Sequence, residues 1–152
     1  MSQITVTLPD NSAHSYESGV TPQEIAENIG SRLAQDALAA QVNGQSVDLN
    51  VPIEADAEVA ILTGDSMEGH EVLLHSTAHL MAHAVKELFP DAKVTIGPAI
   101  ENRFYYDFDI DGTFSDKDLI RIEKKMRELA ANDHVVARME LTRSEAVKLF
   151  NK

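Results

Sequence analysis

Between Glu71 and Phe89 the chain runs without a glycine or a proline. Leu73, Leu74, Leu80, Met81, Val85 and Leu88 recur there at helical spacing. At about 100° per residue these six fall within an arc of roughly 140°. Such a stretch folds as a long amphipathic helix laid on a core. His75, His79 and His83 stand almost opposite that arc, so they turn toward a cleft, a partner or water. His75 and His79 are four residues apart, which places one imidazole a turn above the other on the same side. That is how a helix presents two nitrogen ligands to a metal, or two hydrogen-bonding groups to a substrate.

The zinc-protease pattern His-Glu-x-x-His is not met, because Ser76 follows His75 and no glutamate stands where a general base is needed. A bare His-x-x-x-His is a weak motif, and solvated or structural pairs outnumber functional ones. Here the orientation and the flanking residues carry the argument.

The chain has 152 residues, enough for one domain or two small ones. Hydrophobic residues make up 43%, which supports a core. No apolar run approaches membrane-spanning length, and no signal-peptide core follows Met1, so the expectation is a cytoplasmic protein without a membrane partner. There is no cysteine, which removes disulfide and thiolate chemistry and leaves no thiol to complete a metal site. The formal net charge is −12. Phosphate binding normally rests on an excess of Lys and Arg, so this chain alone is expected to bind RNA weakly.

Residues 1–63 form one pattern. Ile4 to Leu8 alternates as a strand, Pro9 to Ser12 is a turn, and Ala13 to Glu17 returns as a second strand. Thr21-Pro22-Gln23-Glu24 opens a helix, with Thr21 as N-cap, Pro22 at the first position and Glu24 completing a capping box. Ile25, Ala26 and Ile29 supply its apolar face and Gly30 ends it. Leu33 to Leu38 is a short helical connection. Ala39 to Val42, the tight turn Asn43-Gly44, and Ser46 to Leu49 make a hairpin. Val59 to Leu62 is the last strand. The order β-β-α-β-β-β is the ubiquitin-like β-grasp layout, a binding module with no catalytic chemistry of its own. His14 reads as a surface residue on its strand.

Residues 64–69 are polar and read as a linker. Residues 70–152 form a second pattern. After the histidine helix, Lys93 to Ile96 is expected as a strand, broken by Gly97-Pro98, and Phe104 to Asp109 as another. Ser115 and Asp118 cap a helix whose inner face would be Leu119, Ile122, Met126 and Leu129. Val135 to Leu141 is expected as a strand. Thr142-Arg143-Ser144-Glu145 is a further capping box opening a last helix that runs to Phe150. The fold class is α+β.

Several phrases occur in one order: Ile4-Thr5-Val6-Thr7-Leu8-Pro9-Asp10, then His75-Ser76-Thr77-Ala78-His79-Leu80-Met81-Ala82-His83-Ala84, then Ile96-Gly97-Pro98-Ala99-Ile100 and Phe104-Tyr105-Tyr106-Asp107-Phe108. Together they resemble the N-terminal part of bacterial-type threonyl-tRNA synthetases, over essentially the whole chain. The resemblance implies a TGS domain at residues 1–63 and the N-terminal part of a mixed α/β editing domain at 70–152. It implies that His75 and His79 belong to the site that hydrolyses serine wrongly attached to threonine tRNA. His83 and Tyr105 are further substrate-binding candidates. In that family a Cys and another His from a later segment complete the site, so this chain is expected to be a truncated piece, inactive alone in editing and in ligation. ATP, magnesium and zinc would belong to an aminoacylation domain further on. No metal is expected in this chain. The resemblance also implies tRNA(Thr) and the rest of the synthetase as partners, and a parent homodimer formed through other domains.

Two readings compete: a non-catalytic TGS binding or regulatory module, and a free-standing deacylase of the alanyl-tRNA type. The histidine helix argues against the first, and the missing cysteine against the second. Asp107, Asp109 and Asp111 lack the glycine and terminal glutamate of a calcium loop and read as a solvated edge. Lys86, on the histidine side of its helix, is a weaker candidate for contact with tRNA.

Overall fold

Alternating Ile4 and Val6 give the first strand one buried and one exposed side, and a hairpin follows from the turn chemistry beside it. In the computed structural model, which describes residues 2–151, β1 (Gln3–Thr7) pairs antiparallel with β2 (Ala13–Glu17). Asn11 takes the left-handed conformation at the turn, with φ 65°. Helix α1 (Pro22–Ile29) starts as its capping box requires: the Thr21 side chain accepts from the Glu24 amide, and Glu24 accepts from the Thr21 amide at 2.8 Å. A second short helix, α2 (Ser31–Asp36), leads into β3 (Ala37–Val42). Asn43 and Gly44 both have positive φ, the geometry of a tight two-residue hairpin, and β4 (Gln45–Val47) returns. β5 (Ala57–Thr63) runs antiparallel to β3 and parallel to β1, giving the sheet order β2-β1-β5-β3-β4.

Cross-strand partners share a face of a sheet, and neighbours along a strand alternate. The pairs Val42 with Val59 and Ala40 with Ile61 therefore face one way. Val59, Val42 and Ile61 pack with Ile25 of α1 and with Ile4, Val6, Ile53 and Ala57 in the first core. The pairs Ala39 with Leu62 and Gln41 with Ala60 face the other way. Ala39 and Leu62 are nonetheless buried, and the next helix packs on β3 and β5. Both faces of the sheet carry a helix.

That next helix, α3 (Met67–Leu88), begins four residues before Glu71, so residues 67–69 are its first turn. The apolar periodicity starts later than the helix because the first turn is set by a cap and not by packing: Ser66 Oγ accepts from the Gly69 amide at 3.0 Å. The leucine arc is also not the whole buried face. Ala78, Ala82, Ala84 and Val85 are buried while Leu73 is 42% exposed. The helix is approached from two sides, by the sheet-like ribbon that follows it and by α4 (Asp116–Ala131). Ala84, Val85, Ala92, Ile122 and Leu129 form the second core, closed by Phe89, Phe108 and Phe114.

Residues 93–109 fold as one two-legged ribbon. β6 (Lys93–Val94) pairs with β9 (Phe108–Asp109) at its base, and β7 (Ala99–Ile100) with β8 (Arg103–Phe104) at its tip. The strands expected over Lys93 to Ile96 and Phe104 to Asp109 are thus shorter, and the second is split. Pro98 has no amide hydrogen to donate, which interrupts the ladder between the two pairs.

Two further expectations are overturned. Val135 to Leu141 is not a strand: Val135 is 94% exposed, and no strand lies beside this segment among the described residues. β-branched residues favour a strand only where a partner edge exists to receive it. Leu119, expected on the inner face of α4, is exposed, whereas Ile122 and Leu129 are buried as expected. Helix α5 (Arg143–Phe150) forms behind its capping box at Thr142 and Glu145 and buries none of its residues.

Replacing Ile25, wholly buried between α1 and the sheet, by Ala should lower unfolding stability by about 3 kcal/mol in a urea titration. A pH dependence follows from the caps. The Thr21 amide and hydroxyl hold the Glu24 carboxyl below its usual range, and the Ser115 hydroxyl and amide do the same for Asp118. These carboxyls bind protons more weakly folded than unfolded, so their contribution is full above the unfolded value and is lost as pH falls through the lower, folded one. Between about pH 5 and pH 2, Asp118→Asn should show a shallower loss of thermal stability than the parent chain.

Candidate functional site

α3 carries His75 and His79 on its exposed side. One turn of helix brings the two rings edge to face, with centroids 4.6 Å apart and planes at 77°. The two Nε2 atoms are 3.0 Å apart and hydrogen-bonded. In such a bond one ring donates from Nε2 and the other accepts with a bare Nε2, so the pair holds its hydrogen at a single point. A water, hydroxyl or carbonyl arriving there can exchange with that bond.

The pair opens into a cleft of about 750 Å³. Its floor is one side of α3, with Glu68, Glu71, Val72, His75, Ser76 and His79. The ribbon supplies a wall from Thr95 to Ala99 and Tyr106, and Ser46 of β4 lines it as well. The rings are therefore not sealed among aliphatic side chains. The lining includes two carboxylates and no Lys or Arg among the described residues. A larger hollow of about 950 Å³ lies at the N-terminal end of α3, beside Asp65, Met67, His70 and Glu101. It contains neither histidine of the pair.

Tyr106, and not Tyr105, stands in the cleft wall. Tyr105 is 49% exposed and lines no part of it. Tyr106 stacks on Phe108, with centroids 4.9 Å apart. Its ring lies against Gly97, where a Cβ would come within 1.9 Å of Cδ2. The clue in the sequence was Gly97 itself, the residue that lets an aromatic ring from the opposite leg approach the backbone. His83 also lies outside the cleft, 3.4 Å from Glu87 Oε1 on the same helix. Lys86 is held at the end of α3, donating to the carbonyls of Pro90 at 2.6 Å and Ala92 at 3.0 Å. Asp109 pairs with Lys93 at 2.9 Å, which keeps the Lys93 ammonium above its usual range. Among the described residues no three His, Asp or Glu side chains gather as a metal-binding group. Among the described residues no helix is long and apolar enough to cross a membrane.

A β-grasp sheet, with a capped helix on one face and a histidine-bearing helix on the other, defines a class before it defines a protein. Residues 4–63 match the TGS domain model. Over almost all its length the chain is similar to the N-terminal region of threonine–tRNA ligases. It is 54% identical to the threonine–tRNA ligase of Janthinobacterium sp. (strain Marseille) over 147 residues, covering 97% of this chain and 23% of the relative. It is 52% identical to that of Citrifermentans bemidjiense over 150 residues, covering 99% and 24%. The enzyme of Marinobacter nauticus gives 52% over 147 residues, covering 97% and 23%. The chain thus spans about a quarter of the length of the curated relatives it matches.

Gly97→Ala should push the Tyr106 ring off the backbone and reshape the cleft wall. The proton resonances of residue 97 should lose the ring-current displacement that the wild-type contact produces, while those of Val6 and Ile25 in the first core stay in place.

Proposed function

We propose that this chain serves as the N-terminal region of a threonine–tRNA ligase, with a TGS module at residues 1–63, a connection at 64–69, and the first part of an editing domain at 70–152. The activity assigned to its cleft is hydrolysis of serine from mischarged threonine tRNA. The observation that carries the reading is the His75–His79 pair, held Nε2 to Nε2 at 3.0 Å and open to a cleft large enough for an aminoacylated ribose.

The chemistry is ester hydrolysis. A threonine pocket rejects serine poorly, because one methyl group supplies only about 1–3 kcal/mol of discrimination. A second site that accepts the smaller amino acid removes the error. In the cleft a water bound at the histidine pair attacks the ester carbonyl carbon. Its proton passes to an imidazole nitrogen, and the ribose oxygen leaves with a proton returned to it. Glu68 and Glu71 place negative charge in the lining, which suits the α-ammonium of an aminoacyl ester and disfavours phosphate. The tRNA backbone would then be held chiefly by other parts of the ligase. Those parts would also carry the ATP- and magnesium-dependent charging reaction and the dimer contacts. His83 and Tyr105 are not assigned contact with the substrate, because neither lines the cleft.

The test uses the complete ligase with this sequence at its N-terminus. His75→Ala and His79→Ala should each slow Ser-tRNA(Thr) clearance by about two orders of magnitude or more, with threonine charging unchanged. Intact clearance in both variants would make the histidines mere surface residues and return the chain to the class of binding modules.

A further inference from the structure

We infer that the TGS sheet forms a second wall of the hydrolytic cleft, and that Ser46 is a positioning residue for the nucleotide end of the substrate. This rests on the editing reading above and adds to it a residue from the other module.

The argument begins with register. In β4, Ser46 stands opposite Gln41, while Gln45 stands opposite Val42 and Val47 opposite Ala40. Gln41 pairs in turn with Ala60 of β5, on the face that also carries Ala39 and Leu62. Val42 and Ala40 belong to the opposite face, which covers the first core. Of the three residues of β4, Ser46 alone therefore shares the face toward α3, and it lines the cleft that holds His75 and His79. A shift of one residue would remove it.

This placement is held without slack. Helix α3 packs on β3 and β5, and its first turn is locked to the end of β5. Thr63 O accepts from the Ser66 amide at 3.1 Å and from Ser66 Oγ at 3.0 Å. A Cβ at Gly69 would lie 2.0 Å from that same carbonyl oxygen, so the helix start lies directly on the strand end. The distance from the TGS hairpin to the histidines is thereby set by the joint, and not left to a flexible tether.

A serine hydroxyl both donates and accepts, and it carries no charge. In a cleft that already holds Glu68 and Glu71, such a group can meet a ribose hydroxyl or a base edge of the terminal nucleotide without demanding that the acyl group be charged in any particular way. Its interaction is made equally in the bound substrate and in the transition state. Its loss therefore raises KM and leaves kcat alone.

The experiment is single-site kinetics of Ser-tRNA(Thr) hydrolysis by the complete ligase. Ser46→Ala should raise KM by about fivefold, the equivalent of one ordinary hydrogen bond, with kcat unchanged. Ser46→Trp should raise it by more, by filling the entrance, and Ser46→Thr should restore the wild-type value. Gln45→Ala, one residue away on the opposite face, should change nothing. Equal KM for wild type, Ser46→Ala and Ser46→Trp, with His75→Ala still deficient in kcat, overturns the second wall and leaves the editing reading intact. Full clearance by His75→Ala overturns the editing reading and this inference with it.

Discussion

The carbonyl oxygen of Thr63 is where the two halves of this molecule become one. It closes β5, accepts two hydrogen bonds from Ser66, and lies where any side chain at position 69 would have to go. Ser66 in turn caps α3 through the Gly69 amide. Strand end, cap and helix start thus share one set of atoms. A polar stretch that could have been a loose tether is a rigid corner, and the direction in which α3 leaves the sheet is fixed there. The orientation of the histidine pair, which rides on α3, depends on that corner.

From that direction the rest follows by packing. α3 covers the sheet face of Ala39 and Leu62 near its start and the second core of Val85, Ile122 and Leu129 near its end. It is a shared beam between two small cores, neither of which surrounds it. A helix buried on two flanks retains only a narrow polar side. His75 and His79 occupy that side where the ribbon stands away from the helix, and the cleft is the space so left. Gly97 and Tyr106 then shape its wall, the ring lying where a larger residue at 97 would stand.

The chain spans about a quarter of the length of the curated relatives it matches. The net charge of −12 and the two carboxylates in the cleft, Glu68 and Glu71, make this chain a poor surface for a polyanion. Val135, Val136 and Met139 are exposed, and α5 buries none of its residues.

Local chemistry alone determined the β-grasp strands, the Asn43-Gly44 turn, all three capping boxes and the helical pairing of His75 with His79. Each depends on residues within four positions of one another, so the signal is written in the sequence itself. Contacts between distant segments decided the rest. Val135 to Leu141 has strand-forming residues but no edge to join. Tyr105 and Tyr106 are neighbours in sequence, yet only Tyr106 lines the cleft, its ring against Gly97 nine residues away. Ser46 enters the cleft through a pairing register that spans three strands. Such features are fixed by which surfaces meet, and a sequence read along its length does not contain that information until the chain has closed on itself.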